Sequence, residues 1–211
     1  MKLKIYKTIF ALLVLLLIFV SVLIIFKYIK NYKNETESKE VVSMFYDTFN
    51  TNNQETKSIS NVQENNEPQK EVSINGYKVI GIIKIPKIGI EYPILNVEAY
   101  NPADTKEPME YGIVKYWGGN VNEYGNLSIA GHNYYNGTMF GKTRKLEIGD
   151  TLELTDTDKK TIQYKIYNKF ITDPKDVTIL ENNNKEVREV TLITCTNGNR
   201  NRLILKAREN N

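Results

Sequence analysis

The sequence predicts an all-β fold, an eight-stranded barrel with short helices, from Ile74 to the C-terminus. Short runs rich in Ile, Val and Tyr recur through this region, and Gly, Pro, Asn and Asp separate them. Such runs at short spacing, with few helical stretches, are typical of a closed or nearly closed barrel. An uncharged apolar run near the N-terminus predicts a transmembrane helix ahead of this domain, followed by a polar tether.

The predicted strands are short, and most of them end at turn-forming residues. They are Lys78–Pro86, Glu91–Leu95, Gly112–Trp117, Asn126–Gly131, Thr151–Thr155, Thr161–Ile171, Glu189–Cys195 and Arg202–Arg208. A short helix is expected within Pro102–Tyr111.

The apolar run from Thr8 to Phe26 contains no charged residue. At a rise of about 1.5 Å per residue, a helix of this length just crosses a hydrocarbon core of about 30 Å. The run is longer than the apolar part of a secretory signal and no small-residue cleavage site follows it, so we predict a retained anchor. Lysines flank both ends of the run, so the positive-inside rule gives no clear orientation. The acids that follow weakly favour a cytoplasmic N-terminus.

Changes in composition predict four segments. Residues 1–7 are a cytoplasmic N-terminus, 8–26 the transmembrane anchor, 27–73 a polar and partly disordered linker, and 74–211 the folded domain. The linker has too little apolar surface to offset the entropy of ordering. Its one apolar island, Val41–Phe49, is compatible with a short helix, and an ordered helical appendage is the alternative for the part before Thr51.

Composition limits the chemistry available to this chain. A net charge of +3 over 211 residues argues against a nucleic-acid-binding surface, which needs clustered basic residues. The chain has one cysteine, Cys195, and one histidine, His132. A single cysteine excludes an intramolecular disulfide and a multi-cysteine metal site. Any chemistry that pairs a thiol with an imidazole therefore uses these two residues.

Cys195 and His132 both lie where a predicted strand ends. Cys195 ends EVTLITC, and His132 follows NLSIAG. A nucleophilic thiolate needs a nearby positive charge. Arg202 begins the next strand across the turn TNGNRN and is expected close to Cys195, with Arg200 in the turn as the fallback. His132 would be a general acid, and the arginine would stabilise an oxyanion.

The alternative interpretation treats both residues as structural. A cysteine in a strand is usually a small buried hydrophobe, and a lone histidine is usually a surface or structural residue. The residues alone do not show that the two strands are neighbours.

Several segments, in order along the chain, resemble the sortase family. TLITC (Thr191–Cys195) is similar to the family's cysteine-bearing strand, and SIAGHN (Ser128–Asn133) is similar to its histidine segment. Arg202 opens an apolar strand, as the family's catalytic arginine does. The connection TMFGKTRKLEIGDTLELT resembles the family's Phe-x-x-Leu and Gly-Asp pattern, and Gly81–Leu95 resembles its opening strands.

The resemblance implies a cysteine transpeptidase with Cys195, His132 and Arg202 as its catalytic residues. It would cleave the Thr–Gly bond of an LPXTG-like sorting signal, form an acyl-enzyme and transfer the acyl group to an amine. Ala130 and Thr194 would line the substrate groove. The implied partners are surface proteins with a C-terminal sorting signal and, as acceptor, a cell-wall precursor or a pilin amine. The family also implies a single-pass membrane protein of a Gram-positive cell, with its catalytic domain outside.

Departures from the family pattern favour a class A-like or class D-like sortase over the pilus-type class C. The segment Asn101–Asp104 does not fit the Asp-Pro-aromatic lid motif, and no second apolar span follows the domain. The stretch between Pro174 and Thr191 is too short for a long helical insertion. No cofactor is expected; calcium is the alternative. The carboxylates that could bind it are Glu107, Glu110, Glu181 and Glu186.

Three other functions stay open at this point. One is a pilin-polymerising sortase. Another is an L,D-transpeptidase-type acyl-transferase, whose Ser-x-Gly-Cys pattern is missing from TLITCTNG. The third is a non-enzymatic, membrane-anchored surface β domain in which Cys195 is merely buried.

Overall fold

The structure is a computed structural model that describes residues 2–54, 71–97, 102–181 and 186–210. The chain divides into two compact units, Met1–Thr36 and Glu37–Asn211. Residues 55–70 of the predicted linker, and Asn101 of the segment compared with the lid motif, lie outside the described residues.

The first unit is the N-terminal part of one long helix, α1 (Lys2–Gln54). Its side chains from Ile9 to Phe26 are exposed, and apart from Ser21 they are apolar on every side of the helix. A helix that is apolar all round needs an apolar surrounding. Among the described residues, α1 is the one helix long and apolar enough to cross a membrane by length and composition.

The C-terminal part of α1, from Glu37, belongs to the second unit. Val41, Val42 and Phe45 are buried in an apolar cluster with strand residues that include Val79 and Ile82. Helix and strands therefore share one apolar core, which stabilises this part of the helix. Within the linker expected at 27–73, the residues up to Gln54 form the ordered helix that was the alternative to a partly disordered tether, because the apolar island Val41–Phe49 has a surface to pack against.

Polar contacts add to this helix packing. The Tyr46 hydroxyl donates to Glu91 Oε1 at 3.0 Å, and the Lys159 ammonium lies 5.5 Å from the centre of the Phe49 ring. Burial, followed by the charge of Glu91, raises the pKa of Tyr46 to about 12.

Among the described residues, nine strands follow α1, and eight of them form a closed barrel. They are β1 (Ser73–Ile74), β2 (Tyr77–Ile85), β3 (Ile90–Leu95), β4 (Ile113–Trp117), β5 (Gly125–Ala130), β6 (Thr151–Asp156), β7 (Thr161–Thr172), β8 (Arg188–Thr196) and β9 (Asn201–Glu209). The order around the barrel is β2-β3-β4-β5-β8-β9-β7-β6, and β6 pairs with β2 to close it. The predicted eight-stranded barrel is confirmed, and each predicted strand end is within one residue of the observed end.

Two of the barrel pairings are parallel, β3 with β4 and β5 with β8, and the others are antiparallel. Short 3₁₀ turns lie in the connections, at Pro86–Ile88, Pro102–Thr105, Pro108–Glu110, Thr143–Lys145 and Thr178–Leu180. The helix expected within Pro102–Tyr111 is thus present as two 3₁₀ turns.

The barrel interior is filled by alternate side chains of the strands. In β7, Ile162, Tyr164 and Ile166 are buried, while the residues between them are exposed. All residues of β5 are buried, so this strand lies in the centre of the packed structure. The core therefore fixes the strand that precedes His132.

A buried polar network closes the end of the barrel where β5 and β8 begin. The Asn122 amide donates to Asp156 Oδ2 at 2.9 Å and to the Lys160 carbonyl at 2.8 Å. The side-chain oxygen of Asn122, Oδ1, accepts from the Tyr164 hydroxyl at 3.0 Å, and the backbone carbonyl of Asn122 accepts from Arg188 Nε at 2.7 Å. One asparagine thus connects β6, β7 and β8.

Candidate active site

The parallel pairing of β5 with β8 brings the segments of His132 and Cys195 together. Ala130 pairs with Ile193 at the end of this ladder. Because parallel strands run in the same direction, the residues after Ala130 and after Ile193 emerge at the same edge of the barrel. The sequence left open whether the two strands are neighbours, and the pairing shows that they are.

Arg202 lies directly opposite Cys195 in the antiparallel pairing of β8 with β9. Its Nη1 donates to the carbonyls of Asn199 and Asn201, each at 3.2 Å, and these contacts hold the guanidinium at the turn. Arg200 is exposed in the turn, where its Nε donates to the Asn197 carbonyl at 3.1 Å. Of the two arginines, Arg202 is therefore the one in register with the cysteine.

The turn between β8 and β9 uses left-handed backbone at three successive residues. Asn197, Gly198 and Asn199 have φ values of 51°, 64° and 71°. Glycine and asparagine are the residues that adopt this conformation most readily. The polar run TNGNRN therefore forms a compact turn that fixes Cys195 opposite Arg202.

The predicted site residues all line one cavity of about 370 Å³. His132, Cys195 and Arg202 all line it, and so do Ala130 and Thr194. Most of its other walls are apolar, formed by Met109, Tyr116, Val177, Ile179, Leu180 and Ile193. A mainly apolar cavity with a few converging polar groups is the usual form of a ligand site.

The carboxylate of Asp176 organises much of the cavity wall that follows β7. Asp176 accepts from the Thr172 hydroxyl at 2.5 Å, and from the Thr178 amide and hydroxyl at 3.0 and 2.5 Å. These hydrogen bonds, the Thr172 hydroxyl first, lower the pKa of Asp176. They shape the loop that presents Val177 and Ile179 to the cavity.

His132 is half-buried, and its ring centre lies 4.9 Å from that of Tyr134. Burial lowers the pKa of His132 below the ordinary value of a histidine, and the charge of Glu110 opposes this effect. The neutral imidazole is therefore favoured at neutral pH, and the imidazolium is a minor form that Glu110 supports.

Close packing fixes the backbone around His132. A Cβ on Gly131 would lie 2.5 Å from Ile113 Cδ1 and 2.9 Å from Phe140 Cδ2, so only glycine fits before the histidine. The Phe140 amide donates to the His132 carbonyl at 3.0 Å. The Thr194 hydroxyl donates to the Gly131 carbonyl at 2.7 Å.

The roles of two residues near the cavity were not predicted from the sequence, in which Glu110 was considered only as a possible calcium ligand. Asn133 Nδ2 donates to the Cys195 carbonyl at 2.8 Å, and Glu110 acts on the pKa of His132. Their only signals in the sequence are a polar residue directly after the histidine and an acid in a short connection. Neither signal indicates its partner.

The carboxylates considered for calcium all lie among the residues that the structure describes. Among the described residues, no group of three or more His, Cys, Asp or Glu side chains is arranged to hold a metal ion. This includes Glu107, Glu110, Glu181 and Glu186. The expectation that no cofactor is needed, with calcium as the alternative, stays a prediction.

The fold and the cavity define the class of protein: a β-barrel with a cysteine in a cavity at the edge of the barrel. The family model described as the Sortase domain matches residues 83–210, which is more than half of the chain. The chain therefore belongs to the sortase family.

Similar proteins agree with this assignment. "Sortase A" of Bacillus anthracis is 27% identical over 171 residues, which cover 72% of this chain and 77% of that protein. "Sortase D" of Bacillus subtilis (strain 168) is 32% identical over 115 residues, 54% of this chain and 53% of that protein. These relatives are a sortase A and a sortase D, and the sequence analysis favoured a class A-like or class D-like sortase.

Solved structures show the same barrel. A Clostridium perfringens sortase D5 transpeptidase superposes with a TM-score of 0.58 at 27% identity, covering 84% of this chain and 98% of that one. Sortase A from Corynebacterium diphtheriae superposes with a TM-score of 0.56 at 21% identity, covering 86% and 91%. At that lower identity the likeness concerns the fold alone.

Proposed function

We propose that this chain is a cysteine transpeptidase that cleaves an LPXTG-like sorting signal and transfers the acyl group to an amine. The supporting observation is that Cys195, His132 and Arg202 line one cavity, with Arg202 directly opposite Cys195. Acyl transfer needs a nucleophile, a proton donor and a charge that faces the developing oxyanion, and these side chains supply one of each.

In the first half-reaction, the Cys195 thiolate attacks the threonine carbonyl carbon of the Thr–Gly bond, and a C–S bond forms. The Arg202 guanidinium stabilises the oxyanion that develops on the carbonyl oxygen. The C–N bond then breaks, and the leaving amine takes a proton from the His132 imidazolium. The products are a thioester at Cys195 and a released C-terminal fragment.

In the second half-reaction, an acceptor amine attacks the thioester carbonyl and a new C–N bond forms. His132, now neutral, takes the proton from the attacking amine. The C–S bond breaks and its electron pair returns to Cys195 as thiolate. The imidazolium and the thiolate are both restored, so the cycle is balanced.

The cavity walls suit the apolar part of such a signal. Val177, Ile179 and Leu180 offer an apolar surface for the Leu-Pro side of the peptide. In the proposed complex, Ala130 lines the groove, and its methyl side chain leaves room for the peptide. Thr194 lines it next to Cys195, with its hydroxyl directed to the Gly131 carbonyl.

The proposed location follows from α1 and from the family. The apolar part of α1 would be a single-pass anchor, and the barrel would lie on the outer face of the membrane. The donors would be surface proteins with a C-terminal sorting signal, which the reaction attaches to a cell-wall precursor or to a pilin amine.

A peptide-cleavage assay tests this function. The full chain in detergent micelles is mixed with a library of LPXTG-type peptides and an acceptor amine, and the products are separated by chromatography. We expect a new amide product with the wild-type protein and none with Cys195→Ala, whose circular dichroism stays unchanged. The proposal fails if Cys195→Ala keeps full activity. It also fails if no peptide is cleaved and a thiol-directed sorting-signal analogue does not label Cys195.

A further inference from the structure

We propose that Asn133 is a positioning residue that holds the nucleophile in place beside His132. Its side-chain amide, Nδ2, donates to the Cys195 carbonyl at 2.8 Å. The bond joins residues 62 positions apart in sequence and connects the residue after the histidine to the backbone of the cysteine. The catalytic meaning of this contact rests on the proposed function.

The position of the contact explains why it is needed. The parallel ladder between β5 and β8 ends with the pair Ala130 and Ile193, and the Gly131 amide adds one bond to the Ile193 carbonyl at 3.2 Å. Neither His132 nor Cys195 is included in these backbone bonds. The Asn133 amide continues the connection past the end of the ladder, at the level of the reacting groups.

Asn133 is itself held by the loop that follows it. Its backbone forms an antiparallel bridge with Met139, and the Phe140 amide bonds the His132 carbonyl. Met139 and Phe140 are both buried in the barrel core. The amide that reaches Cys195 therefore projects from a segment whose far end is fixed by packing.

The side chain of Asn133 is exposed and is not among the residues that line the cavity. It acts on the backbone of Cys195 rather than on a peptide in the groove. Small displacements of a reacting group lower the rate of the chemical step more than they weaken substrate binding. Loss of this hydrogen bond is therefore expected to lower kcat and to leave KM nearly unchanged.

Three variants separate a positioning role from a structural one. Asn133→Ala removes the amide, and Asn133→Asp keeps its shape but cannot donate a hydrogen bond. The matched control is Asn136→Ala, because Asn136 is an exposed asparagine of the same loop and bonds only Thr138 in the described contacts. We expect both Asn133 variants to lower kcat about tenfold, with KM within about twofold and the melting temperature nearly unchanged. Asn136→Ala should match the wild type.

Alkylation of Cys195 by iodoacetamide tests the contact without any peptide substrate. The rate is measured from about pH 5 to about pH 9, the range over which cysteine thiols ionise. Both Asn133 variants should change the rate–pH profile, and Asn136→Ala should not.

The possible outcomes distinguish this proposal from the proposed function. Profiles and kcat values that are equal in all four proteins overturn the positioning role. A lower melting temperature with an unchanged alkylation profile also overturns it, because the role is then structural only. If the wild type cleaves no peptide while the Asn133 variants alter alkylation, the positioning contact is supported and the transpeptidase function fails.

Discussion

Two arginines follow the cysteine, and their surroundings differ. Arg202 is paired with Cys195 across β8 and β9, whereas Arg200 is an exposed turn residue. Loss of one oxyanion donor commonly costs a factor of about 10² to 10³ in kcat. We therefore predict that Arg202→Ala lowers kcat on a cleaved peptide by about 100-fold. Arg200→Ala should lower it by less than about threefold. Equal losses in steady-state assays would contradict the assignment of Arg202.

The charge of Glu110 supports the protonated form of His132. Its carboxylate raises the pKa of His132, against the larger lowering by burial. We predict that Glu110→Gln lowers the pKa of His132 further. Because the proposed first step needs an imidazolium together with a thiolate, kcat/KM at neutral pH should then fall by about threefold.

Nuclear magnetic resonance can follow this change directly, since His132 is the single histidine of the chain. The midpoint of its imidazole titration should move to lower pH in Glu110→Gln. The control is Glu107→Gln, which removes an acid of the same connection whose charge is not among the causes of the pKa shift of His132. A midpoint that rises, or moves equally in both variants, would show that Glu110 does not act in this way.

Composition singled out Cys195 and His132 because the chain has one residue of each type. The position of Arg202 could be predicted because a hairpin brings the start of one strand to the end of the other. Asn133 and Glu110 could not be found in this way. Their partners lie on other segments, and a polar residue in a connection has no periodicity that would reveal its contact.

The strands themselves were predictable, and a helix before Thr51 was the alternative to a disordered linker, but the packing of this helix on the barrel was not predictable. Each strand has its own run of β-forming residues between turn residues. Residues 37–54 have a polar composition with one apolar island, and barrel residues such as Val79 and Ile82 cover that island in the helix. A surface built from distant strands is not visible in the local sequence.

The packing of this helix on the barrel can be tested with a matched pair of substitutions. Phe45 is 3% exposed and lies in the shared apolar cluster, whereas the neighbouring Met44 is 50% exposed. We predict that Phe45→Ala lowers the free energy of unfolding by about 3 kcal/mol, and that Met44→Ala changes it by less than about 0.5 kcal/mol. Urea unfolding of the full chain in micelles measures both values. Similar values for the two variants would mean that the helix does not pack as described.

The barrel has a buried polar network at one end and the candidate active site at the other. The network around Asn122 lies where β5 and β8 begin, and the cavity with Cys195 and His132 lies where they end. Removal of the Asn122 side chain takes away the hydrogen bond to Asp156 Oδ2 and the acceptor of the Tyr164 hydroxyl, both of them buried.

We therefore predict that Asn122→Ala lowers the free energy of unfolding by about 3 kcal/mol. The kcat of the folded protein should stay within about twofold of the wild type, because the network does not reach the cavity. Thermal unfolding and peptide cleavage at low temperature give the two values. A large loss of kcat in a protein that is still folded would show that the two ends of the barrel are coupled.

The architecture was predicted as a barrel, but its strand order was not. Alternating strands and turns indicate how many strands there are and where they end. They do not indicate that β5 pairs in parallel with β8 across a long intervening segment. That pairing brings His132 and Cys195 to the same edge of the barrel, where both line one cavity, and the sequence indicated it only through the resemblance to sortases.

We expect Cys195 to carry the acyl group, and intact-protein mass spectrometry tests this expectation most directly. The wild-type chain is mixed with a sorting-signal peptide without an acceptor amine, and the labelled residue is mapped after proteolysis. We predict a mass increase equal to the N-terminal part of the peptide, located at Cys195 and removed when an amine is added. The same increase in Cys195→Ala, or a label mapped to another residue, would contradict this expectation.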